Sequence, residues 1–157
     1  MRTLVLGLGN PILRDDSVGL RVVRVVAATI GEVDGLDVAE DYHGGLRLME
    51  RMVGYDRAVI VDAIQSGAPP GSLIRLEVDG RPTQHSASTH DVNLPTALAL
   101  GRQAGAHLPQ VDRIAIIAVE ALDVLTFGES LTPQVEDAIP LAARAVLQEL
   151  GLEKESA

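Results

Sequence analysis

Short apolar runs alternate with longer segments in which apolar residues recur every three or four positions. Each run is rich in branched aliphatic residues and is bounded by Gly, Asp or Pro, as buried strands are. Five strands are predicted: Thr3–Leu8, Leu36–Ala39, Ala58–Val61, Leu73–Val78 and Ile114–Val119. Because strands and helices alternate, the pattern predicts an α/β fold with a twisted, mostly parallel sheet and helices on both faces.

Four helices are predicted between and after these strands. The first three contain Val18, Val22, Val25, Val26 and Thr29; then Leu46, Met49 and Val53; then Leu94, Leu98 and Ala99. The last has clear boundaries, with Thr132 as N-cap, Pro133 at the first helical position and Gly151 just past the end. Pro140 lies inside it and is expected to kink or split it.

The connection between the third and fourth strands is unusually short. Only Gln65–Gly71 separates them, whereas a parallel crossover needs a dozen or more residues. These two strands are therefore expected to form an antiparallel hairpin, which makes one strand of the sheet antiparallel. The polar stretch Asp79–His90 that follows spans roughly 40 Å when extended. It is expected to carry His90 back across the sheet.

The length and composition indicate one domain over residues 1–157. A chain of 157 residues buries about 68–70% of its unfolded surface in a single core. Apolar residues make up 46% of the chain, but there are only one Phe, two Tyr and no Trp. The core is therefore expected to be aliphatic, in a three-layer arrangement, and the tail 153–157 is expected to be frayed.

Charge and cysteine content narrow the functional classes. The 13 basic and 22 acidic side chains give a net charge of −9, which repels nucleic acid and anionic membranes. The absence of cysteine excludes disulfides, thiolate metal sites and a cysteine nucleophile. No apolar run reaches 18 residues, and the first is too short for a signal peptide. A cytoplasmic protein without nucleic-acid or membrane partners is expected.

The first strand leads into the turn Gly7-Leu8-Gly9-Asn10-Pro11. A dinucleotide-binding fingerprint would need a third glycine where Ile12 stands, and the following Asp15 and Asp16 would place negative charge beside a pyrophosphate. Nucleotide binding is therefore disfavoured. The alternative is a tight strand-to-helix turn in which the missing side chains let the backbone pass close to a neighbour.

Acidic residues stand at several predicted strand ends. Asp15 and Asp16 precede the first helix, where one carboxylate is expected to cap the backbone N–H groups and the other to face a cleft. Asp62 follows the third strand, at the edge where open α/β sheets bind ligands, although aspartate there also initiates ordinary turns. The same edge is expected to carry Glu40, Asp41 and Glu120.

Of the four histidines, His90 is the strongest candidate for chemistry. It lies at a helix entrance beside Asp91, after the long polar stretch. If that stretch brings it to Asp16 and Asp62, the two carboxylates and one imidazole form a set suited to Ni, Zn or Fe. The alternative is a solvated loop histidine; the acidic neighbours expected for His90 are what rank it above His43, His85 and His107.

A resemblance to a known family is carried by four segments in order: LVLGLGNPILRDDSVGLRVV, VIVDAI, STHDVNLPTAL and SLTPQVEDAI. Together they resemble the landmark segments of the [NiFe] hydrogenase maturation endopeptidases, from Leu4 to about Leu150. The family fold is a twisted sheet between helices. Its members cut a short C-terminal extension from the hydrogenase large subunit once nickel has been inserted, so the resemblance implies that the partner is a large-subunit precursor.

The resemblance also implies roles for three residues. By motif match, the acidic ligand after the Gly-Asn turn falls on Asp16, the strand-end aspartate on Asp62 and the histidine on His90. These three are implied to engage the nickel of the substrate, so that the metal is a recognition element and no cofactor is resident. Asp16 stands where some relatives carry Glu, and Ser17 stands where glycine is common.

A carboxylate-assisted hydrolysis is the mechanism that the residues leave open. No serine or cysteine stands in a nucleophile motif, so Asp62 or Asp16 is expected to orient or deprotonate the attacking water. One alternative is a peptidyl-tRNA hydrolase, which also opens with GLGNP, but that likeness ends at Pro11 and the negative charge is unsuited to tRNA. Another is a non-catalytic accessory module that binds a metal or a nucleotide.

Overall fold

The computed structural model describes residues 1–86 and 92–153, which form five strands and four α-helices. The strands are β1 (Thr3–Leu8), β2 (Leu36–Asp41), β3 (Arg57–Ile64), β4 (Leu73–Leu76) and β5 (Ile114–Glu120). The helices are α1 (Val18–Ile30), α2 (Gly45–Arg51), α3 (Leu94–Gln103) and α4 (Pro133–Leu150). Every predicted strand and helix is present, so the α/β class is confirmed.

The strands form one sheet in the order β2-β1-β3-β5-β4. All neighbours are parallel except β4, which runs antiparallel to β5. The prediction of a mostly parallel sheet with one antiparallel strand is therefore confirmed. The predicted hairpin between the third and fourth strands is wrong, because β5 lies between β3 and β4.

The short connection between β3 and β4 crosses over the carboxyl end of β5. Glu120, the last residue of β5, holds it there: its carbonyl accepts the Gly71 N–H at 2.8 Å, and its carboxylate accepts the N–H of Ser66 at 2.9 Å and of Gly67 at 3.0 Å. The distance from β3 to β4 across the one strand between them is about 10 Å. A connection of seven residues spans this distance easily. The connection was too short for a helical crossover, but not for this route.

Helices cover both faces of the sheet, as predicted. Side chains alternate along β1, so that Leu4 and Leu6 pack in the cluster that contains α2 and α3 residues, whereas Val5 packs with residues of α1 and α4. Both clusters consist almost wholly of aliphatic side chains. This is the three-layer arrangement with an aliphatic core that the composition indicated.

The glycines of the first turn and of α1 allow very close backbone contacts. A Cβ atom added at Gly19 would lie 2.3 Å from the Leu8 carbonyl oxygen and 2.4 Å from that of Val61. One added at Gly9 would lie 2.3 Å from the carbonyl oxygen of Asp16. The predicted close approach is confirmed, and it places Asp16 directly beside the end of β1.

Helix α4 begins and ends as predicted, with Thr132 as N-cap residue and Gly151 at the C-terminal end. It continues through Pro140, so the proline does not split it. Pro140 lies on the exposed side, where the carbonyl that loses its N–H partner can be hydrated. Among the described residues, no helix is both long and apolar enough to span a bilayer.

Candidate active site

Asp15 fixes the framework of the site from a fully buried position. Its carboxylate accepts the backbone N–H groups of Leu122 and Asp123, both at 2.9 Å, and the N–H and hydroxyl of Thr132 at 2.8 and 2.7 Å. It thereby ties the turn after β1 to the segment after β5 and to the start of α4. The expectation that one of the two acids caps the first helix is wrong: none of these hydrogen bonds goes to α1.

Asp16 points the other way, into the carboxyl edge of the sheet. Its Oδ2 accepts the N–H of Asn10 at 3.0 Å, which fixes the side chain against the turn after β1. Its two oxygens lie 3.0 and 2.8 Å from Nε2 of His85. As predicted for one member of the pair, this carboxylate faces the candidate site.

Asp62 lies within β3 rather than after its end, because β3 extends past the last residue paired with β1 and continues along β5. It has no exposed surface. Its oxygens accept the N–H of Ala63 at 2.9 Å and the N–H of His85 at 2.5 Å. Burial raises the pKa of Asp62 to about 7, against the opposing effect of the His85 charge. Asp62 therefore titrates near neutral pH.

His85 joins the two carboxylates. Besides its contact with Asp16, its Nδ1 lies 2.9 Å from the carbonyl oxygen of Tyr42. Carbonyl and carboxylate oxygens only accept hydrogen bonds, so both ring nitrogens carry a proton and the ring is an imidazolium. Burial lowers the pKa of His85, but the hydrogen bond to Asp16 and the charges of Asp62 and Asp16 raise it by more than burial lowers it. The resulting pKa is about 9. The site thus already holds a positive charge, on the ring that contacts Asp16.

This ion pair predicts a pH-dependent stability. Because the folded-state pKa of His85 lies above its ordinary value of 6.5, its stabilising effect is complete below pH 6.5 and is lost as the pH rises through about 9. We expect the difference in unfolding free energy between wild type and His85→Gln to fall by roughly 2–3 kcal/mol from pH 6 to pH 10. Urea unfolding of the metal-free proteins measures it.

A matched control for this experiment is His107→Gln. His107 pairs with Asp56 at the opposite edge of the sheet, where its side chain is 64% exposed. Exposed ion pairs contribute little to stability, so the control should change little over the same range. A wild-type advantage over His85→Gln that stays constant from pH 6 to pH 10 would contradict the buried imidazolium.

The other acids at this edge have structural partners. Glu120 holds the β3–β4 connection as described above. Asp41 pairs with His43 at 2.8 Å and with Arg51 at 3.3 Å, and Glu40 pairs with Arg24 at 2.8 Å. Only Asp16 and Asp62, among the acids predicted here, share a contact with one histidine in the described part of the chain.

The predicted third ligand, His90, lies outside the described residues. Sequence reasoning ranked His85 below His90 and missed its contacts with both carboxylates. The available signal was its position on the stretch Asp79–His90, which was expected to return across the sheet and does so as far as His85. Within residues 1–86 and 92–153, no three His or carboxylate side chains form a ready metal site.

The sequence and the fold are both similar to those of proteins that mature hydrogenases. A family model described as hydrogenase maturation protease matches residues 20–149. The chain is 30% identical over 151 residues to hydrogenase expression/formation protein HupD of Thiocapsa roseopersicina, covering 94% of this chain and 67% of HupD. It is 30% identical over 159 residues to the hydrogenase 2 maturation protease of Escherichia coli strain K12, covering 98% and 94%. The solved structure of the hydrogenase maturating endopeptidase HybD from Escherichia coli superposes with a TM-score of 0.77 at 28% identity, covering 96% of this chain and 93% of that one.

Proposed function

This chain belongs to the hydrogenase maturation protease family, and we propose that it processes the precursor of a [NiFe] hydrogenase and recognises it through the nickel of that substrate. Members of the family are hydrolases that cleave the C-terminal extension of the hydrogenase large subunit. The observation that carries the proposal is the pair Asp16 and Asp62, held at one edge of the sheet by His85, whose ring contacts Asp16 and whose backbone N–H donates to Asp62.

A site that brings the carboxylates of Asp16 and Asp62 to one histidine has the negative charge to bind a metal cation. Asp16, Asp62 and His90 engage the nickel of the precursor, a carboxylate and imidazole set that suits this metal. In the metal-free enzyme the imidazolium of His85 occupies the Asp16 carboxylate. The nickel-bearing substrate displaces it, and no metal or other cofactor is resident between turnovers.

Asp62 is the base of the proposed mechanism. A carboxylate with a pKa of about 7 is poised to accept a proton near neutral pH. It takes a proton from water as the water oxygen attacks the scissile carbonyl carbon, and the proton then passes to the amine as the C–N bond breaks. In the described part of the chain no serine hydroxyl is hydrogen-bonded to a histidine, so a serine–histidine pair receives no support.

The two histidines provide the test of this assignment. We expect His90→Gln to lower the rate of precursor cleavage roughly tenfold or more, because a ligand to the substrate nickel is lost. His85→Gln, the matched control on the same stretch, is expected to retain cleavage, because His85 leaves Asp16 when the substrate binds. Mass spectrometry of nickel-loaded precursor against time measures both rates. Slow cleavage by His85→Gln and wild-type cleavage by His90→Gln would reverse the assignment.

The two alternative functions, a peptidyl-tRNA hydrolase and a non-catalytic accessory module, are less well supported. The likeness to peptidyl-tRNA hydrolases ends at Pro11, whereas the family model extends from residue 20 to residue 149. A non-catalytic accessory module would have no use for a buried carboxylate whose pKa lies near neutral pH.

A further inference from the structure

Four large apolar side chains are exposed on two neighbouring segments, the turn after β1 and the segment after β5. They are Ile12 at 50%, Leu122 at 52%, Leu125 at 83% and Phe127 at 76% exposure, and together we name them the apolar rim. Phe127 is the only phenylalanine of the chain. Single exposed apolar residues are ordinary, but a group of them beside a functional site indicates an interaction surface.

The backbone under the apolar rim is tightly fixed. Residues 12–15 run antiparallel to residues 123–128: the Gly128 N–H donates to the Ile12 carbonyl at 2.8 Å, and the Asp15 N–H donates to the Asp123 carbonyl at 2.9 Å. The Asp123 carboxylate accepts the N–H groups of Leu125 and Thr126 at 3.0 and 2.9 Å. The rim is therefore preorganised, which lowers the entropy cost of binding a partner.

The apolar rim shares with the carboxylate site the turn that follows β1. Its first member, Ile12, precedes Asp16 by four residues, a span of at most about 14 Å, and Asp15 ties the other members to the same turn. A polypeptide whose scissile bond lies at Asp16 and Asp62 thus has the rim within a few residues of the cleaved bond.

The charge of the apolar rim indicates the chemistry of its partner. The one cation on the paired strand, Arg14, lies 3.7 Å from the Asp123 carboxylate, so the two charges neutralise each other. In a protein with a net charge of −9, this leaves a neutral surface beside an acidic site. Such a surface suits an uncharged apolar segment better than an acidic or basic one.

We propose that the apolar rim docks the hydrogenase large-subunit precursor, through apolar side chains of the precursor that flank its cleaved bond. This inference rests on the proposed function, and it adds a second point of recognition to the nickel. The rim supplies affinity and orients the segment to be cut, whereas the carboxylates contact the nickel and the reacting atoms. Loss of the rim should therefore weaken precursor binding without changing the chemical step.

The test is a double variant that removes the most exposed apolar side chains, Leu125→Ser with Phe127→Ser. We expect KM for nickel-loaded precursor to rise about tenfold while kcat stays within twofold. The matched control, Leu100→Ser with Leu141→Ser, removes two side chains exposed at 44% and 59% on α3 and α4, and it should leave both constants unchanged. Circular dichroism and a thermal melt check that both variants fold.

A direct binding measurement separates failure of the rim from failure of the proposed function. Biolayer interferometry with immobilised nickel-loaded precursor gives Kd for wild type and both double variants. Wild-type affinity and kinetics in the Leu125→Ser, Phe127→Ser protein would overturn the docking surface and leave the protease function standing. A wild-type protein that neither binds nor cuts the precursor would overturn both. Sedimentation that shows a wild-type dimer and a monomeric rim variant would assign the rim to self-association instead.

Discussion

Asp62→Asn should stop cleavage of the large-subunit precursor while the protein remains folded. The amide cannot accept a proton from water, so the base of the reaction is lost, and we expect the rate to fall roughly a thousandfold. Folding should survive because the change removes a buried negative charge and keeps a side chain of the same shape. One hydrogen bond, from the N–H of Ala63 or of His85, is lost because the amide nitrogen cannot accept it, at a cost of about 1–3 kcal/mol.

The control for this variant is Asp112→Asn, an exposed aspartate at the opposite edge of the sheet, just before β5. It makes the same chemical change at a distance from the site and should leave the rate unchanged. Cleavage is followed by mass spectrometry of nickel-loaded precursor, and folding by circular dichroism. A folded Asp62→Asn protein that cuts at the wild-type rate would remove Asp62 from the mechanism.

The pH profile of the wild-type enzyme gives the same assignment a second observable. A base must be deprotonated to act, so kcat/KM should fall about tenfold per pH unit below the pKa of Asp62, which lies at about 7. Above that pH the carboxylate is ionised and the profile should level off. A rate that stays constant from pH 5 to pH 8 would show that Asp62 is not the group whose ionisation controls turnover.

The alternation of apolar patterns was enough to predict the α/β class, because buried strands and amphipathic helices carry different periods. Strand order was not accessible in the same way. Strand β5 lies between β3 and β4 through pairings with both, and its Glu120 accepts the backbone N–H groups of Ser66 and Gly67, contacts between residues more than fifty positions apart. Local spacing predicted a hairpin because nothing near Gln65–Gly71 reports those contacts.

The candidate site was predictable in part for similar reasons. Asp16 and Asp62 stand out because each follows a strand predicted from the sequence, at an edge where open α/β sheets place ligands. The role of Asp15 could not be predicted, because its partners Leu122, Asp123 and Thr132 are more than a hundred residues away. His85 was missed because its contact with Asp16 and Asp62 depends on the path of a long loop. Sequence spacing limits the length of that loop but not its direction.

Nickel in the substrate should decide whether the enzyme cuts at all. In the metal-free enzyme the Asp16 carboxylate is bound by the His85 imidazolium, and a precursor without nickel offers nothing that competes for it. The nickel-free precursor keeps only the apolar rim as a point of contact. We therefore expect its cleavage to be at least a hundredfold slower than that of the loaded precursor, which is about 3 kcal/mol of transition-state stabilisation.

The most direct test of substrate recognition through nickel is a side-by-side cleavage of one precursor preparation, half loaded with nickel and half without, by the wild-type enzyme. Mass spectrometry resolves the full-length and shortened large subunits at each time point, and circular dichroism confirms that both precursors are equally folded. We predict that only the nickel-loaded precursor loses its C-terminal extension on the time scale of the assay. Equal rates for the two precursors would contradict the role assigned to Asp16, Asp62 and His90.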